Sequence, residues 1–347
     1  VVLRSHFQKN LVYEREGTRF HCIKTPGGLR AGSLYWLDTL LVAAKLREIQ
    51  PDLVHAWGSE FGGTVVAGRL GYPTLATMQG ILTWYGSVFP LNRHQKISRF
   101  LEPGSLRRAR VATAESSFAM KYLGERYPNL KLLQVEHAPS PLFSQIARAP
   151  QTQPPRLLCV GSFLEWKGAD IVLKALNELP ANLEFELVWI GSRNPSLEEK
   201  LKRETSPTVW KKITFKHDLP AAKIAEELAR ATLFLHAARA DNSPNSVKEA
   251  VVSGVPVVAT RTGGIPDYVE EGRNGLLFGS ADVADCRRQI EAALRHPLFS
   301  RGEVDPRTHQ RVREYLSTPT MADKFFAAYE ETLRVYGLRA KTANSTT

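Results

Sequence analysis

Two carboxylates, Asp241 and Glu249, are separated by the seven residues Asn242-Ser243-Pro244-Asn245-Ser246-Val247-Lys248. Ser243 is a favourable N-cap, and Pro244 suits the first helical position, where the N–H that proline lacks would have no partner anyway. The amides of Asn245, Ser246 and Val247 are then left free at the positive end of a helix dipole, which makes an anion site. Glu249 falls roughly 9 Å along the helix axis at 1.5 Å per residue, and Asp241 lies just before the helix begins. Carboxylates repel phosphate, so this pair suits hydroxyl donors on either side of a bound diphosphate, such as a ribose and a sugar. An ordinary capped helix ahead of a buried strand is the bland alternative.

The same stretch continues through Gly254-Val255-Pro256-Val257 to Gly263-Gly264-Ile265-Pro266. It resembles the C-terminal motif of family-four, GT-B glycosyltransferases, retaining enzymes that move a sugar from a nucleotide diphosphate to an acceptor. In that family two acids separated by seven residues precede a small-residue helix, Gly-x-Pro-Val and Gly-Gly-x-Pro. Asp241 stands here instead of the more usual Glu, and the Asp-Asn-x-Pro-Asn form occurs in relatives that build bacterial surface polysaccharides. Upstream, Arg156–Val160, Gly161-Ser162 and Lys167-Gly168 read as strand, tight turn and helix, a place where backbone can approach a phosphate and Lys167 can add charge. Such turns are common, and the motif gains meaning only beside the later helix. The family usually carries Arg after the glycine, so Ser162 removes one expected positive charge.

The resemblance implies a site on both halves of the chain. Gly161, Ser162, Lys167 and the amides of Asn245, Ser246 and Val247 would hold the diphosphate, Glu249 the ribose, and Asp241 the transferred sugar. The base would lie against Ile190-Gly191 and the loop Lys216–Leu219, with Gly191 and Leu219 contributing backbone, which leaves UDP- and GDP-sugars equally open. In the first half, His55-Ala56-Trp57-Gly58-Ser59-Glu60 and Met78-Gln79-Gly80 each end a strand. His55, Trp57, Glu60 and Gln79 are the acceptor-side candidates, and Asp241, Gln79 and Lys167 the catalytic ones. Gln79 replaces the histidine of many family members; its amide is no strong base but can hold a sugar hydroxyl. His55 reads equally as a satisfied core histidine, and Trp57 as a packed aromatic.

These residues need two α/β domains to position them, and strands alternate with helices along the whole chain, the pattern of parallel sheets. The expected fold is α/β of GT-B type, with two Rossmann-like domains facing across a cleft. The expected boundaries are 1–146, a Pro-rich linker at 147–155, a donor domain at 156–318, a helix at 319–337 crossing back, and a disordered tail at 338–347. The chain opens directly on the strand-like Val1-Val2-Leu3, so the first β-α unit of the family, with its Gly-rich acceptor loop, is expected to be missing. Helical periodicity over 33–49 places Leu34, Leu37, Leu41, Ala44 and Ile49 on one apolar side. Trp84, Tyr85 and Phe89 fall in a loop ahead of a basic helix at 92–109. That helix is either an interfacial element on an anionic membrane or a solvated face with Ile97, Phe100 and Leu101 in the core.

Composition bounds the rest. The 347 residues are 43% hydrophobic and 23% charged, with a net charge of +11 that favours an anionic partner. Three scattered cysteines suggest neither a disulfide framework nor a zinc site, and a reducing cytoplasm is the simplest location, possession of a peripheral membrane face aside. No apolar run reaches the length of a membrane span. Gly-x-Gly-x-x-Gly, a Walker loop, a nucleophile elbow and His-Glu-x-x-His are all missing. Asp-x-Asp, the metal motif of the other large transferase fold, is missing too, so the expected reaction needs no metal or cofactor: helix amides and Lys167 stabilise the departing diphosphate. The partners expected are a nucleotide-sugar donor and a saccharide or lipid-linked acceptor. A nucleotide-sugar binding protein without turnover is the alternative, and a nucleic-acid binder, supported by charge alone, ranks last.

Overall fold

The computed structural model describes residues 1–5, 9–217 and 219–338. It divides into two compact units, the first made of 1–115, 119–135 and 324–347, the second of 116–118 and 136–323. The expected tail lies, from 339 onward, outside the described residues, as does Asp218 of the expected base-binding loop.

In the first unit β1 (Val2–Ser5), β2 (Leu11–Arg15) and β3 (Thr18–Lys24) form a sheet in the order β1-β3-β2. β1 runs parallel to β3 and β2 antiparallel. The hairpin turns at Glu16-Gly17, both at positive φ of 50° and 72°, as a two-residue hairpin requires. β2 is absent from the sequence reading because every one of its side chains is exposed, so it shows no alternation. A second, wholly parallel sheet follows, in the order β4 (Val54–Trp57), β5 (Thr74–Met78), β6 (Val111–Ala114), β7 (Lys131–Gln134).

Two expectations for this unit are corrected. The helix Trp36–Ile49 buries Asp38, Thr39, Val42 and Leu46, while Leu34, Ala44 and Ile49 of the expected face are exposed. The buried stripe is marked by a charge: Asp38 Oδ1 accepts from Arg4 Nη1 at 2.8 Å and Arg30 Nε at 3.0 Å, so a reading that sought apolar residues turned the helix the wrong way. The aromatic segment expected as a loop is a helix, Leu82–Val88. Its capping partner comes from far along the chain. Glu102, fully buried on the helix Arg93–Arg108, accepts from the Leu82 and Thr83 amides at 3.0 Å each, from Thr83 Oγ1 at 2.8 Å and from Ser59 Oγ at 2.6 Å. Arg93–Arg108 is the basic helix, closed at its start by a reciprocal Asn92–Gln95 capping box. Phe100, which the solvated-face alternative would put in the core, is 77% exposed.

The second unit is one six-stranded parallel sheet of β8 (Arg156–Val160), β9 (Glu186–Ile190), β10 (Ile213–Lys216), β11 (Leu233–His236), β12 (Val257–Thr260) and β13 (Gly275–Phe278). Its order is β10-β9-β8-β11-β12-β13. Side chains alternate across the pleat, so Leu157, Leu187, Leu233 and Val258 join one apolar layer, while Leu158, Val188, Phe234 and Val257 join the other. Strand order reverses between β8 and β11, and the crevice at the carboxyl ends of those two strands is where such sheets bind ligands.

The chain enters this unit at Glu136, ahead of the segment 147–155 expected as a linker, and that segment is itself tied down. Arg148 reaches the last carbonyls of the helix Ala221–Arg230 and its exit, donating to Leu228, to Ala229 at 3.1 Å and to Ala231 at 2.8 Å, and also to Gly302 at 2.8 Å. The amides of Ala149 and Gln151 pair with Ala229 and Arg230 at 2.9 Å each.

Because Glu102 is the acceptor for the buried Leu82 amide and the part-buried Thr83 amide, Glu102→Ala should leave both without it and lower stability by about 2 kcal/mol, at roughly 1–3 kcal/mol for a fully orphaned group. Urea unfolding followed by circular dichroism measures this; a loss under about 0.5 kcal/mol would show that Glu102 does not hold the Leu82–Val88 helix.

Candidate functional site

At the end of β8 the chain turns through Gly161-Ser162, then makes a short 3-10 turn, Glu165–Lys167, before the helix Ala169–Asn177. Gly168 links the two at φ 79°, and a Cβ there would stand 2.0 Å from the Ala237 carbonyl oxygen. Glycine therefore lets this turn touch the loop that leaves β11. Lys167 crosses the contact, and its Nζ donates to Asp241 Oδ2 at 2.5 Å while lying 4.4 Å from the centre of the Trp166 ring. His236, the last residue of β11, places Nε2 3.7 Å from the same carboxylate oxygen. Burial holds the His236 pKa down to about 4, so the ring is neutral near pH 7.

Asp241 is held by its backbone as well. Gly263, at φ 52°, packs so closely that a Cβ would lie 1.8 Å from the Asp241 carbonyl oxygen, and the Gly264 amide donates to Asn242 O at 2.6 Å. Gly161, Ser162 and Gly191 also come together: Ser192 Oγ donates to Ser162 Oγ at 2.9 Å, and a Cβ on Gly191 would meet Gly161 O at 2.3 Å. Leu219 packs against the apolar layer that contains Val160 and Phe234, at the same end of the sheet.

The expected helix is Asn245–Val252, with its start displaced by one residue. Pro244 is the N-cap, and the Ser243 hydroxyl donates to Glu136 Oε1 instead of capping the helix. Val247 is a second correction, since its amide donates to Pro244 O at 3.1 Å and is not available to an anion. The amides of Asn245 and Ser246 point out of the helix start without a backbone acceptor among the described residues. Glu136 escaped the sequence reading because it lies over a hundred residues upstream in a strand exit with no motif. Its carboxylate also lies 3.9 Å from Nζ of Lys248, a fully buried lysine.

Glu249 is half-buried on the next turn, and the attraction of Lys248 is too weak to offset its desolvation. Burial raises its pKa from 4.5 to about 7. A carboxyl in that state donates or accepts a hydrogen bond according to pH, and the ionised form is the one that accepts from two hydroxyls at once.

In the first unit the acceptor-side candidates split into two groups. His55 is committed through both ring nitrogens, Nδ1 to Tyr329 OH at 3.0 Å and Nε2 to Thr77 Oγ1 at 2.6 Å, and sits among Trp57, Phe325 and Tyr329. This is the position of a satisfied structural histidine. Trp57 is 49% exposed beside it. Glu60 and Gln79 gather at the exits of β4 and β5: the Gly80 amide donates to Glu60 Oε1 at 2.5 Å, and a Cβ on Gly58 would lie 2.6 Å from Glu60 Oε2 and 3.7 Å from Gln79 Oε1. Burial raises the Glu60 pKa, with the Glu102 and Glu115 carboxylates adding to the rise and the Gly80 amide opposing it.

Among the described residues no three His, Cys, Asp or Glu side chains gather as a metal site, and no helix is long and apolar enough to cross a membrane.

Comparison with known proteins bears on the family and the fold. A family model described as Glycosyl transferases group 1 matches residues 154–296, and one described as Glycosyltransferase Family 4 matches residues 1–133. The chain is 28% identical over 169 residues to the sulfoquinovosyl transferase SQD2 of Arabidopsis thaliana, a match that covers 48% of this chain and 31% of that protein. It is 25% identical over 306 residues to a GDP-mannose-dependent alpha-mannosyltransferase of Mycolicibacterium smegmatis, covering 85% of this chain and 77% of the other. Among solved structures it superposes on sucrose-phosphate synthase from Thermosynechococcus elongatus with a TM-score of 0.78 at 16% identity, over 96% of this chain and 88% of that one. The fold is accordingly that of GT-B glycosyltransferases.

The raised Glu249 pKa sets a stability slope. The unfolded chain releases this proton near 4.5 and the folded chain near 7, so the advantage of the neutral form is complete below 4.5 and lost as pH rises through 7. Stability should fall between about pH 5 and pH 8 by at most roughly 3 kcal/mol, reduced by the partial exposure of the carboxyl. Glu249→Gln should flatten that part of the profile in urea unfolding at the two pH values; an unchanged slope would place the proton elsewhere.

Proposed function

The chain belongs to glycosyltransferase family four, and we propose that it is a retaining, metal-independent hexosyltransferase using a UDP- or GDP-sugar. The acceptor in this reading is a saccharide or lipid-linked saccharide of cell-surface polysaccharide synthesis. One observation carries it: the Lys167–Asp241 pair lies at the carboxyl ends of β8 and β11, in the same unit as the outward amides of Asn245 and Ser246. Cation, dipole end and carboxylate are the three charges that a diphosphate joined to a hydroxylated ring calls for.

The pair gives the site an order of events. Lys167 and Asp241 neutralise one another, and a diphosphate that draws Lys167 away leaves a carboxylate with one oxygen to satisfy. A hydroxyl of the donor sugar is the group that can replace the lost ammonium donor. His236 stays neutral beside it and adds no competing charge. As the bond from the anomeric carbon to the diphosphate oxygen breaks, charge collects on the leaving diphosphate, where Lys167 and the two amides stabilise it more than they stabilise the ground state. Ionised Glu249 accepts from the ribose, so donor affinity should rise as pH passes through about 7.

Peripheral binding to the inner face of a membrane fits the basic helix Arg93–Arg108, whose Phe100 stands out among cations. Ser162, in place of the family's usual arginine, favours a second reading in which the chain binds nucleotide-sugar without turning it over.

Titration of the full chain with UDP-glucose and GDP-mannose, followed by thermal shift and calorimetry, should show binding of one of them. Glu249→Ala should weaken it by about 1.5–3 kcal/mol, the worth of hydrogen bonds to a charged group. Asp241→Asn should lower turnover more than affinity for the free nucleoside diphosphate, and Lys167→Ala should make diphosphate binding less sensitive to salt. Binding without product would select the second reading, and unchanged affinity in Glu249→Ala would refute the ribose role.

A further inference from the structure

Ser243-Pro244 has the sequence of a side-chain-capped helix start but is not capped that way. Elsewhere in the second unit Ser140, Asn194, Ser206 and Asp305 also stand directly before a proline at a helix start. Each of their side chains accepts from an amide two or three residues on: Leu142 at 3.4 Å, Leu197 at 3.0 Å, Val209 at 3.3 Å and Thr308 at 2.8 Å. The same geometry at Ser243 would direct its Oγ to the amide of Asn245 or Ser246. Those are the two amides left open at the start of the helix Asn245–Val252.

Glu136 is the cause of the exception. Its side chain is buried, and the Ser243 hydroxyl donates to its Oε1. A carboxylate is a stronger acceptor for a hydroxyl than any neutral group, so the Ser243 oxygen is turned toward Glu136 and accepts from neither amide. Pro244, at the cap position itself, has no side-chain acceptor to take over. A second polar group is unmet at the foot of this loop. His236 is 7% exposed, and its Nε2, without a hydrogen-bond partner among the described residues, faces Asp241 Oδ2 from 3.7 Å.

We propose that Glu136 is a positioning residue for the donor: by taking the Ser243 hydroxyl it keeps the helix start uncapped and the Asn245 and Ser246 amides open to the diphosphate. The identity of the anion rests on the nucleotide-sugar reading, whereas the open amides rest on the hydrogen bonds alone. Removing the Glu136 carboxylate frees Ser243 to cap, and fewer molecules then have an open helix start. Apparent affinity falls with that fraction, by about fivefold for an N-cap of ordinary strength.

The probes are UDP and GDP, titrated into the full chain by calorimetry, and solvent exchange of the Asn245 and Ser246 amides is followed by NMR in the free protein. In Glu136→Ala the nucleotide that binds the parent should bind about fivefold more weakly, and at least one of the two amides should become protected. Glu136→Gln keeps an acceptor for Ser243 and should match the parent in both measurements, although it loses the charge beside Lys248. The decisive variant combines Glu136→Ala with Ser243→Ala. No cap can form there, so affinity and exchange should return to parental values, which a general loosening of the fold would not do. Glu136→Met, of similar length without the carboxylate, replaces Glu136→Ala in both tests if the latter does not fold. The role of Glu136 is overturned if the two amides exchange equally in the parent and Glu136→Ala, or if the double variant binds as weakly as the single one. Binding of neither nucleotide to the parent overturns the donor reading and with it the affinity effect, while the exchange rates still decide the capping role.

Discussion

The loop that leaves β11 is gripped by backbone on two sides, and the arrangement of the second unit's charged residues follows from that grip. On one side Gly168 brings the β8 turn against the Ala237 carbonyl, and on the other Gly263 and Gly264 lie against the carbonyls of Asp241 and Asn242. A methyl group at Gly168 or Gly263 would sit 2.0 Å or less from oxygen, so no side chain can be accommodated without moving the strands apart. Held this way, Asp241 has little freedom to retreat from Lys167, and the two turns at the reversal of strand order behave as one piece.

Buried charge performs a similar task elsewhere, with partners drawn from distant segments. Asp38 is neutralised by two arginines, Glu102 closes a helix start through amides and hydroxyls, and Glu136 takes the Ser243 hydroxyl with the Lys248 ammonium nearby. Taking such a charge out of water costs several kcal/mol, and breaking one partner exposes that cost. These contacts therefore contribute less to net stability than to fixing one arrangement of helices over others. Each joins segments distant in sequence, which is the job local propensity cannot do.

That distance also explains what was legible in advance. The parallel sheets, the turn at Gly161-Ser162 and the helix after Ser243 were readable because their signals are local: strands alternating with helices, a glycine turn and a proline beside a cap. The start of the Asn245–Val252 helix was misplaced by a residue because Ser243 has a better acceptor in Glu136, which no spacing rule connects to it. The helix Leu82–Val88 was missed for the same reason, its cap being twenty residues away in Glu102. His55 looked like a candidate for chemistry until its two nitrogens were seen to be spoken for by Thr77 and Tyr329, the latter brought in by the C-terminal helix. Residue type marked these positions, but only the tertiary partner told which of them were already satisfied.

Arg148 has a consequence of its own. Its guanidinium fastens the entry segment to the end of the helix Ala221–Arg230 entirely through carbonyl oxygens, with no acid in the joint. Four carbonyls at four places are met by the spread of two guanidinium nitrogens, a fork that the single ammonium of a lysine does not have. The entry segment is thus specified by the shape of one side chain and not by the pairing of charges.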